Sequence, residues 1–223
     1  RAENLGRIAV LEMGKPLAEA VGEVKKCAWV CRHYAEHSAE YLAPTEIASD
    51  ASKSYLRYDP LGLVLSVMPW NFPYWQVFRF AAPTLMAGNG ALLKHAPNVP
   101  QCAEAIEALF VEAGFPTHLL ANLRIHTEPV AAIISDPRIA AVTLTGSGRA
   151  GRAVAEAAGK ALKPVVLELG GSDPFIVLED ADLDQAVSHG IISRFLNNGQ
   201  SCIAAKRLIV VDAVHDEFVN RFT

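Results

Sequence analysis

The stretch that most constrains this chain runs from Leu61 to Leu169, where short apolar runs alternate with helical patterns. Five runs read as strands: Gly62–Met68, Ala91–His95, Asn122–His126, Ile139–Thr145 and Pro164–Leu169. The first is continuously apolar, as in a strand buried on both faces of a parallel sheet. Between them, residues 72–87, 99–113, 129–135 and 149–162 carry helical spacing, closed by breakers such as Gly88-Asn89-Gly90 and Gly114. This alternation predicts an α/β fold, a doubly wound, Rossmann-like parallel sheet. Ligands of such sheets bind beyond the carboxyl ends of the strands, so the residues just after each strand carry the functional question.

The flanks differ. Residues 1–42 read as two helices, the second from about Ala18 to Tyr41 with Val21, Val24, Ala28, Cys31 and Ala35 on its apolar stripe. Cys27/Cys31 and His33/His37 are each spaced by four on that helix, but at about 100° per residue the two pairs point different ways, so packed thiols and surface imidazoles are expected rather than a metal site. Residues 43–60 read as a β-hairpin around Ser49–Lys53, too small to stand alone and so expected to pack on something else. After Gly170-Gly171 a second domain begins near Ser172, with a strand at Pro174–Leu178, a helix at Leu183–Leu196 and a strand around Leu208–Val211. The chain starts and stops inside helical patterns, so a longer parent protein is expected.

Composition excludes several classes. Hydrophobic residues make up 51% of the 223, enough for a sizeable core, and the net charge is −4, which does not suit nucleic acid or an anionic membrane surface. No apolar run approaches a membrane span of about 18 residues. Four irregularly spaced cysteines do not form a secreted disulfide framework, and a cytoplasmic setting is expected.

Several strand ends bear chemistry. Asn71, in Pro69-Trp-Asn-Phe-Pro73, is either a helix N-cap or an amide donor to a developing oxyanion. Lys94 is either an ordinary surface lysine or a holder of ribose or phosphate. Gly146-Ser147-Gly148-Arg149-Ala150-Gly151 follows a strand and opens a helix, where backbone N–H groups can face a pyrophosphate; a tight glycine turn is the alternative. Glu168 ends an apolar run, where desolvation would raise its pKa and suit it as a base; a charge-paired glutamate is the alternative. Cys202, after the turn Asn197-Asn198-Gly199, lies thirty-four residues beyond Glu168 and is either an inert thiol or a nucleophile. Cys102 reads as inert.

Taken in order, Leu11-Glu-Met-Gly-Lys-Pro16, Pro69-Trp-Asn-Phe-Pro73, Lys94, Thr145-Gly-Ser147 with Gly151, Glu168-Leu-Gly-Gly171 and Gly199-Gln-Ser-Cys202 resemble the aldehyde dehydrogenase superfamily over essentially the whole chain. The resemblance implies an NAD(P)-binding domain at 1–42 and 61–171, an oligomerisation hairpin at 43–60, and the start of a catalytic domain, incomplete, at 172–223. It implies Cys202 as nucleophile, the Asn71 side chain and the Cys202 N–H as oxyanion donors, and Glu168 as the base that activates water. It implies Lys94 at the adenosine ribose, Trp70, Gly146, Ser147 and Gly151 around the pyrophosphate, and the Leu169 carbonyl near the nicotinamide. A homodimer or homotetramer is implied, with a small aldehyde as substrate and neither nucleic acid nor membrane as partner.

Within the superfamily, Leu93–Pro100 and Glu168–Phe175 look most like bacterial succinate-semialdehyde dehydrogenases. Arg79 stands where that group carries an arginine for the substrate carboxylate, with a surface or structural salt bridge as the alternative, whereas a second such arginine is replaced by Leu196. Many NAD-preferring members carry a glutamate where this chain has Pro97, so NADP is expected to serve at least alongside NAD. The family's later elements lie outside the chain, and a 223-residue piece by itself is expected to be inactive or unstable. Two other readings compete. An acylating member need not keep Glu168, and a non-catalytic relative need not keep Cys202, Glu168 and Asn71 together.

Overall fold

The computed structural model describes residues 1–223. They form two compact units, Arg1–Glu168 and Leu169–Thr223.

The first unit begins with two helices, α1 (Ala2–Met13) and α2 (Leu17–Tyr41). Gly14 ends α1 in the left-handed conformation (φ 79°), and its N–H returns to the Val10 carbonyl, a glycine C-cap. A small antiparallel ribbon follows, β1 (Thr45–Glu46) with β2 (Tyr55–Leu56), which is the expected hairpin reduced to two residues per strand. The sheet is then built from β3 (Leu63–Val67), α3 (Trp75–Met86), β4 (Gly90–Lys94), α4 (Pro100–Glu112), β5 (Leu120–Asn122), α5 (Val130–Ser135), β6 (Ile139–Gly146), α6 (Gly148–Lys160) and β7 (Val165–Leu169).

The strand order is β5-β4-β3-β6-β7, and β3 pairs in parallel with both β4 and β6. The chain thus winds outward one way from β3 through β4 and β5, then returns to its other side with β6. That reversal between β3 and β6 is the topological switch point, where a doubly wound sheet opens a crevice. One core layer packs α1, α2, α3 and α4 on the sheet through Tyr74, Val77, Phe78, Ala81, Leu93 and Ile106. The other packs α5 and α6 through Leu65, Ile134, Val142, Leu144, Val154 and Ala158.

Two expectations shift. The buried stripe of α2 is Ala20, Glu23, Cys27, Val30 and Ser38; of the expected stripe Val24 and Cys31 pack half-buried against the core, Val21 is half-buried, and Ala28 and Ala35 are exposed. A glutamate in mid-stripe disguises it, because a periodicity search counts only apolar residues. The third strand lies at Leu120–Asn122, not Asn122–His126, because register with Ala91–Leu93 fixes it there.

The second unit holds β8 (Asp173–Val177), α7 (Leu183–Phe195), a 3-10 turn (Leu196–Gly199), β9 (Ala205–Val210) and α8 (Asp212–Phe222). The strands β8 and β9 pair in parallel. Asp182 caps α7 by accepting the Gln185 N–H at 3.1 Å. Phe175 and Phe222 pack against Gly190, where an added Cβ would meet Phe222 at 3.0 Å. No helix in the chain is long and apolar enough to cross a membrane.

Candidate active site

The residues singled out by sequence divide between the units. Trp70, Asn71, Arg79, Lys94, Gly146, Ser147, Gly151 and Glu168 belong to the first, and Leu169 and Cys202 to the second.

Asn71 and Trp70 lie in the turn between β3 and α3, at the carboxyl end of the central strand. Trp70 is exposed and Asn71 half-buried. Asn71 is not the N-cap of α3; that position is Tyr74, whose side chain makes no capping bond. The cap comes instead from α2: the Glu23 carboxylate accepts the N–H groups of Tyr74 and Trp75, both at 2.8 Å. A carboxylate suits this place, since the first N–H groups of a helix have no internal partner and carry the positive end of its dipole. Glu23 is also paired with Lys15, and the two side chains are 2% and 0% exposed. The Lys15 ammonium in addition sits 4.3 Å from the centre of the Phe72 ring, inside the same turn. A buried ion pair is tolerated only when its remaining bonding capacity is filled, and here backbone donors and a ring face fill it.

The same device holds the next helix. Glu12 of α1 accepts the N–H groups of Gln101 and Cys102 at 2.8 and 2.9 Å, capping α4. Leu11–Pro16 therefore supplies a cap (Glu12), a left-handed turn (Gly14) and a buried cation (Lys15). Of these roles the sequence marks only the helix end, at Gly14-Lys15-Pro16. The usable signal was a lysine placed between a glycine and a proline, off any solvated helix face.

Lys94 ends β4 and is buried. Burial pushes its ammonium below the usual lysine range, with Glu128 opposing the shift. The next residue, His95, is buried as well. Its Nδ1 accepts the Ala96 N–H at 2.8 Å, and its Nε2 lies 2.9 Å from the Pro73 carbonyl. An Nδ1 that accepts a backbone N–H carries no proton, so Nε2 carries one and donates it to Pro73. Burial, the largest influence on this imidazole, lowers its pKa and favours the neutral form.

At the end of β6, Ser147 caps α6 by accepting the Ala150 N–H at 3.2 Å. The residues around this helix start are small (Gly146, Ser147, Gly148, Ala150, Gly151), and the first turn holds no acidic side chain. Gly151 is buried and Ser147 exposed.

Of the two readings of Glu168, the structure shows the charge-paired glutamate rather than the buried carboxylate. It is exposed, because β7 is the edge of the sheet, and its Oε2 lies 3.4 Å from Nη1 of Arg79. Arg79 also donates through Nη2 to Thr145 Oγ1 at 3.2 Å. Met68, Gln76, Arg79, Thr145 and Glu168 line a cavity of about 410 Å³ that continues along α3. The Gln76 Oε1 atom is buried there without a hydrogen-bond partner.

Cys202 is half-buried in the second unit, in a turn before β9. Its carbonyl accepts from Lys206 Nζ at 2.7 Å. Three consecutive left-handed residues lead to it: Asn197 (φ 58°), Asn198 (φ 56°) and Gly199 (φ 71°). Asn tolerates this region better than other non-glycine residues, and at Gly199 an added Cβ would meet the Arg194 side chain at 3.0 Å. Leu169 ends β7 and is exposed. The paired cysteines of α2 stay thiols: burial raises Cys31 and lifts Cys27 far above the usual thiol range, and Cys102 is lifted likewise. No cluster of three or more metal-ligating side chains exists.

A probable NADP(+) succinate-semialdehyde dehydrogenase of Synechocystis sp. is 56% identical over 223 residues, covering 100% of this chain and 49% of its own length. Succinate-semialdehyde dehydrogenase 1, also NADP(+), of Mycobacterium tuberculosis is 54% identical over 224 residues, covering 99% of this chain and 49% of its own. The solved succinic semialdehyde dehydrogenase of Streptococcus pyogenes, in complex with NADP+, superposes with a TM-score of 0.97 at 42% identity, over 99% of this chain and 49% of that one. The chain thus spans about half the length of the curated relatives it matches. The model of the aldehyde dehydrogenase family matches residues 1–223, from the capping helices through the cysteine turn to the last residue, and the chain belongs to that family.

Proposed function

We propose that the full-length protein oxidises a small carboxylated aldehyde, succinate semialdehyde foremost, to the acid with NADP+ or NAD+. The observation that carries this reading is the pairing of Arg79 with Glu168 and Thr145 at the carboxyl ends of β6 and β7, in a chain whose 54–56% identical relatives bear that activity in their names. A guanidinium held by one hydroxyl and a 3.4 Å ion pair keeps donors for an incoming carboxylate.

The thiolate of Cys202 attacks the aldehyde carbon, and the carbonyl oxygen takes up the charge as the carbon–sulfur bond forms. The Asn71 amide, on a turn anchored by Glu23, stabilises that oxygen. When bound, NAD(P)+ supplies the two-electron acceptor that turns the aldehyde-level adduct into a thioester. Glu168 takes a proton from water, the water oxygen attacks the thioester, and the carbon–sulfur bond breaks to release acid and thiolate.

The residues fit a dinucleotide. Small residues and the absence of acid at the α6 start admit a pyrophosphate, with Trp70, Gly146, Ser147 and Gly151 around it. Lys94 holds the ribose, and the Leu169 carbonyl serves the nicotinamide amide. Pro97, two residues after the buried His95, leaves no carboxylate to repel a 2′-phosphate, which favours NADP+. The ribbon at 43–60, with Ile47, Tyr55 and Tyr58 exposed, is the oligomerisation arm of a homodimer or homotetramer.

The test is a steady-state panel on the full-length protein with both cofactors. Succinate semialdehyde is compared with an apolar aldehyde of similar length, in wild type and Arg79→Ala. A loss of about 100-fold in kcat/KM for succinate semialdehyde is expected from removing a charge-assisted contact of about 2–3 kcal/mol, well beyond the loss for the apolar aldehyde, which reports only the broken Arg79–Glu168 pair. An unchanged preference in Arg79→Ala would remove the carboxylate role, and strong NAD+ preference would remove the cofactor assignment.

A further inference from the structure

The Pro69–Pro73 turn is fixed from two sides. On the helical side, Glu23 grips the backbone just after it. On the strand side, His95 grips the turn itself, through Nε2–H donated to the Pro73 carbonyl at 2.9 Å. His95 is immediately next to Lys94, and its other nitrogen is filled by the Ala96 N–H at 2.8 Å. A single buried, neutral side chain therefore bridges the strand end that carries Lys94 and the turn that carries Asn71. Below it, the Met68 N–H donates to the Lys94 carbonyl at 3.0 Å, so the two strand ends are also stitched by backbone.

We infer that His95 is a positioning residue for aldehyde oxidation: its tie to the Pro73 carbonyl sets the Asn71 turn in register with the cofactor-side strand end. The inference rests on the function proposed above. It adds to that function a residue that touches neither substrate nor the reacting atoms. Its effect passes through Asn71, so its removal appears in the chemical step rather than in ground-state binding. An oxyanion donor moved by a fraction of an ångström loses much of its worth, because the stabilisation depends on aim.

The chemistry of the tie selects the variants. In His95→Asn, Oδ1 takes the place of Nδ1 and still accepts the Ala96 N–H, but no donor reaches Pro73. In His95→Gln, Nε2 of the amide takes the place of the imidazole Nε2 and restores the donor. The measurement is a double-mutant cycle on the full-length protein with Asn71→Ala, reading kcat and KM separately.

His95→Asn is expected to lower kcat by about 10- to 100-fold, within the roughly 100- to 1,000-fold that losing an oxyanion donor outright costs, with the aldehyde KM within about threefold. His95→Gln is expected to recover most of the loss. In the Asn71→Ala background, His95→Asn is expected to cost less than about twofold more. Wild-type kcat in His95→Asn, no recovery by His95→Gln, or equal losses in both backgrounds would each overturn the inference while leaving the proposed function intact. A wild-type protein without aldehyde oxidation would overturn both. Should His95→Asn not be recovered folded, His95→Leu enters the same cycle and is read by the same rule.

Discussion

At the scale of single residues, the buried pair Lys15–Glu23 is the strongest commitment in the chain. Both side chains are almost wholly removed from water, and Glu23 also accepts two backbone N–H groups. Glu23→Ala strands a buried ammonium and uncaps α3 at once, so a loss of about 3–5 kcal/mol in unfolding free energy is expected. Urea denaturation of the full-length protein measures it; a loss under about 1 kcal/mol would show that the pair carries no net stability. This residue also shows what sequence withholds. Asn71, Lys94 and Ser147 announce themselves at strand ends, and Cys202 in a glycine turn ahead of a strand, places that local pattern locates. Glu23 and His95 act on backbone atoms 51 and 22 residues away, and no local pattern encodes such partners. Between the two readings of Glu168, the desolvated base and the charge-paired glutamate, only the tertiary fold decides, for a related reason. An apolar run suggests burial, but only the sheet order makes β7 an edge, where the carboxylate meets solvent and Arg79.

Among elements, α3 and α4 take their capping carboxylates from neighbouring helices rather than from their own first turns. Neither α3 nor α4 has a side-chain cap of its own, and Glu23 and Glu12 fill the gap. By contrast, α6 and α7 are capped locally by Ser147 and Asp182, which sequence rules detect directly. Glu12→Ala leaves the Gln101 and Cys102 N–H groups without the carboxylate, and a loss of about 1–2 kcal/mol is expected, by the scale of N-cap removals. Hydrogen exchange should show the loss concentrated in the first turn of α4; a uniform change along the helix would contradict a capping role. Element identity was legible throughout 61–169 because strand and helix alternate there with glycine breaks between them. Boundaries were less so, as at β5, where three residues of pairing with β4 outweigh the apolar look of Ile125.

For the molecule as a whole, the ribbon β1–β2 stands apart from the layered sheet. Its two-residue strands are too short for stability of their own, yet Ile47, Tyr55, Leu56 and Tyr58 are exposed along it. Replacing residues 45–56 by a short glycine-serine link in the full-length protein is expected to lower its oligomeric order, as read by light scattering after size exclusion. An unchanged mass would remove the arm from the assembly. The layered part was readable as a fold class from its strand–helix rhythm, and the family match runs over the same residues.

The Lys15–Glu23 pair has one more consequence, for the docking of α3. The two partners are eight residues apart and are joined within the helical hairpin α1–α2, whereas the N–H groups that Glu23 caps come 51 residues later. The charge that caps α3 is thus neutralised from within its own hairpin, while the groups it caps come from a different stretch of chain, so docking of α3 brings polar N–H groups to a carboxylate that already has a cation beside it.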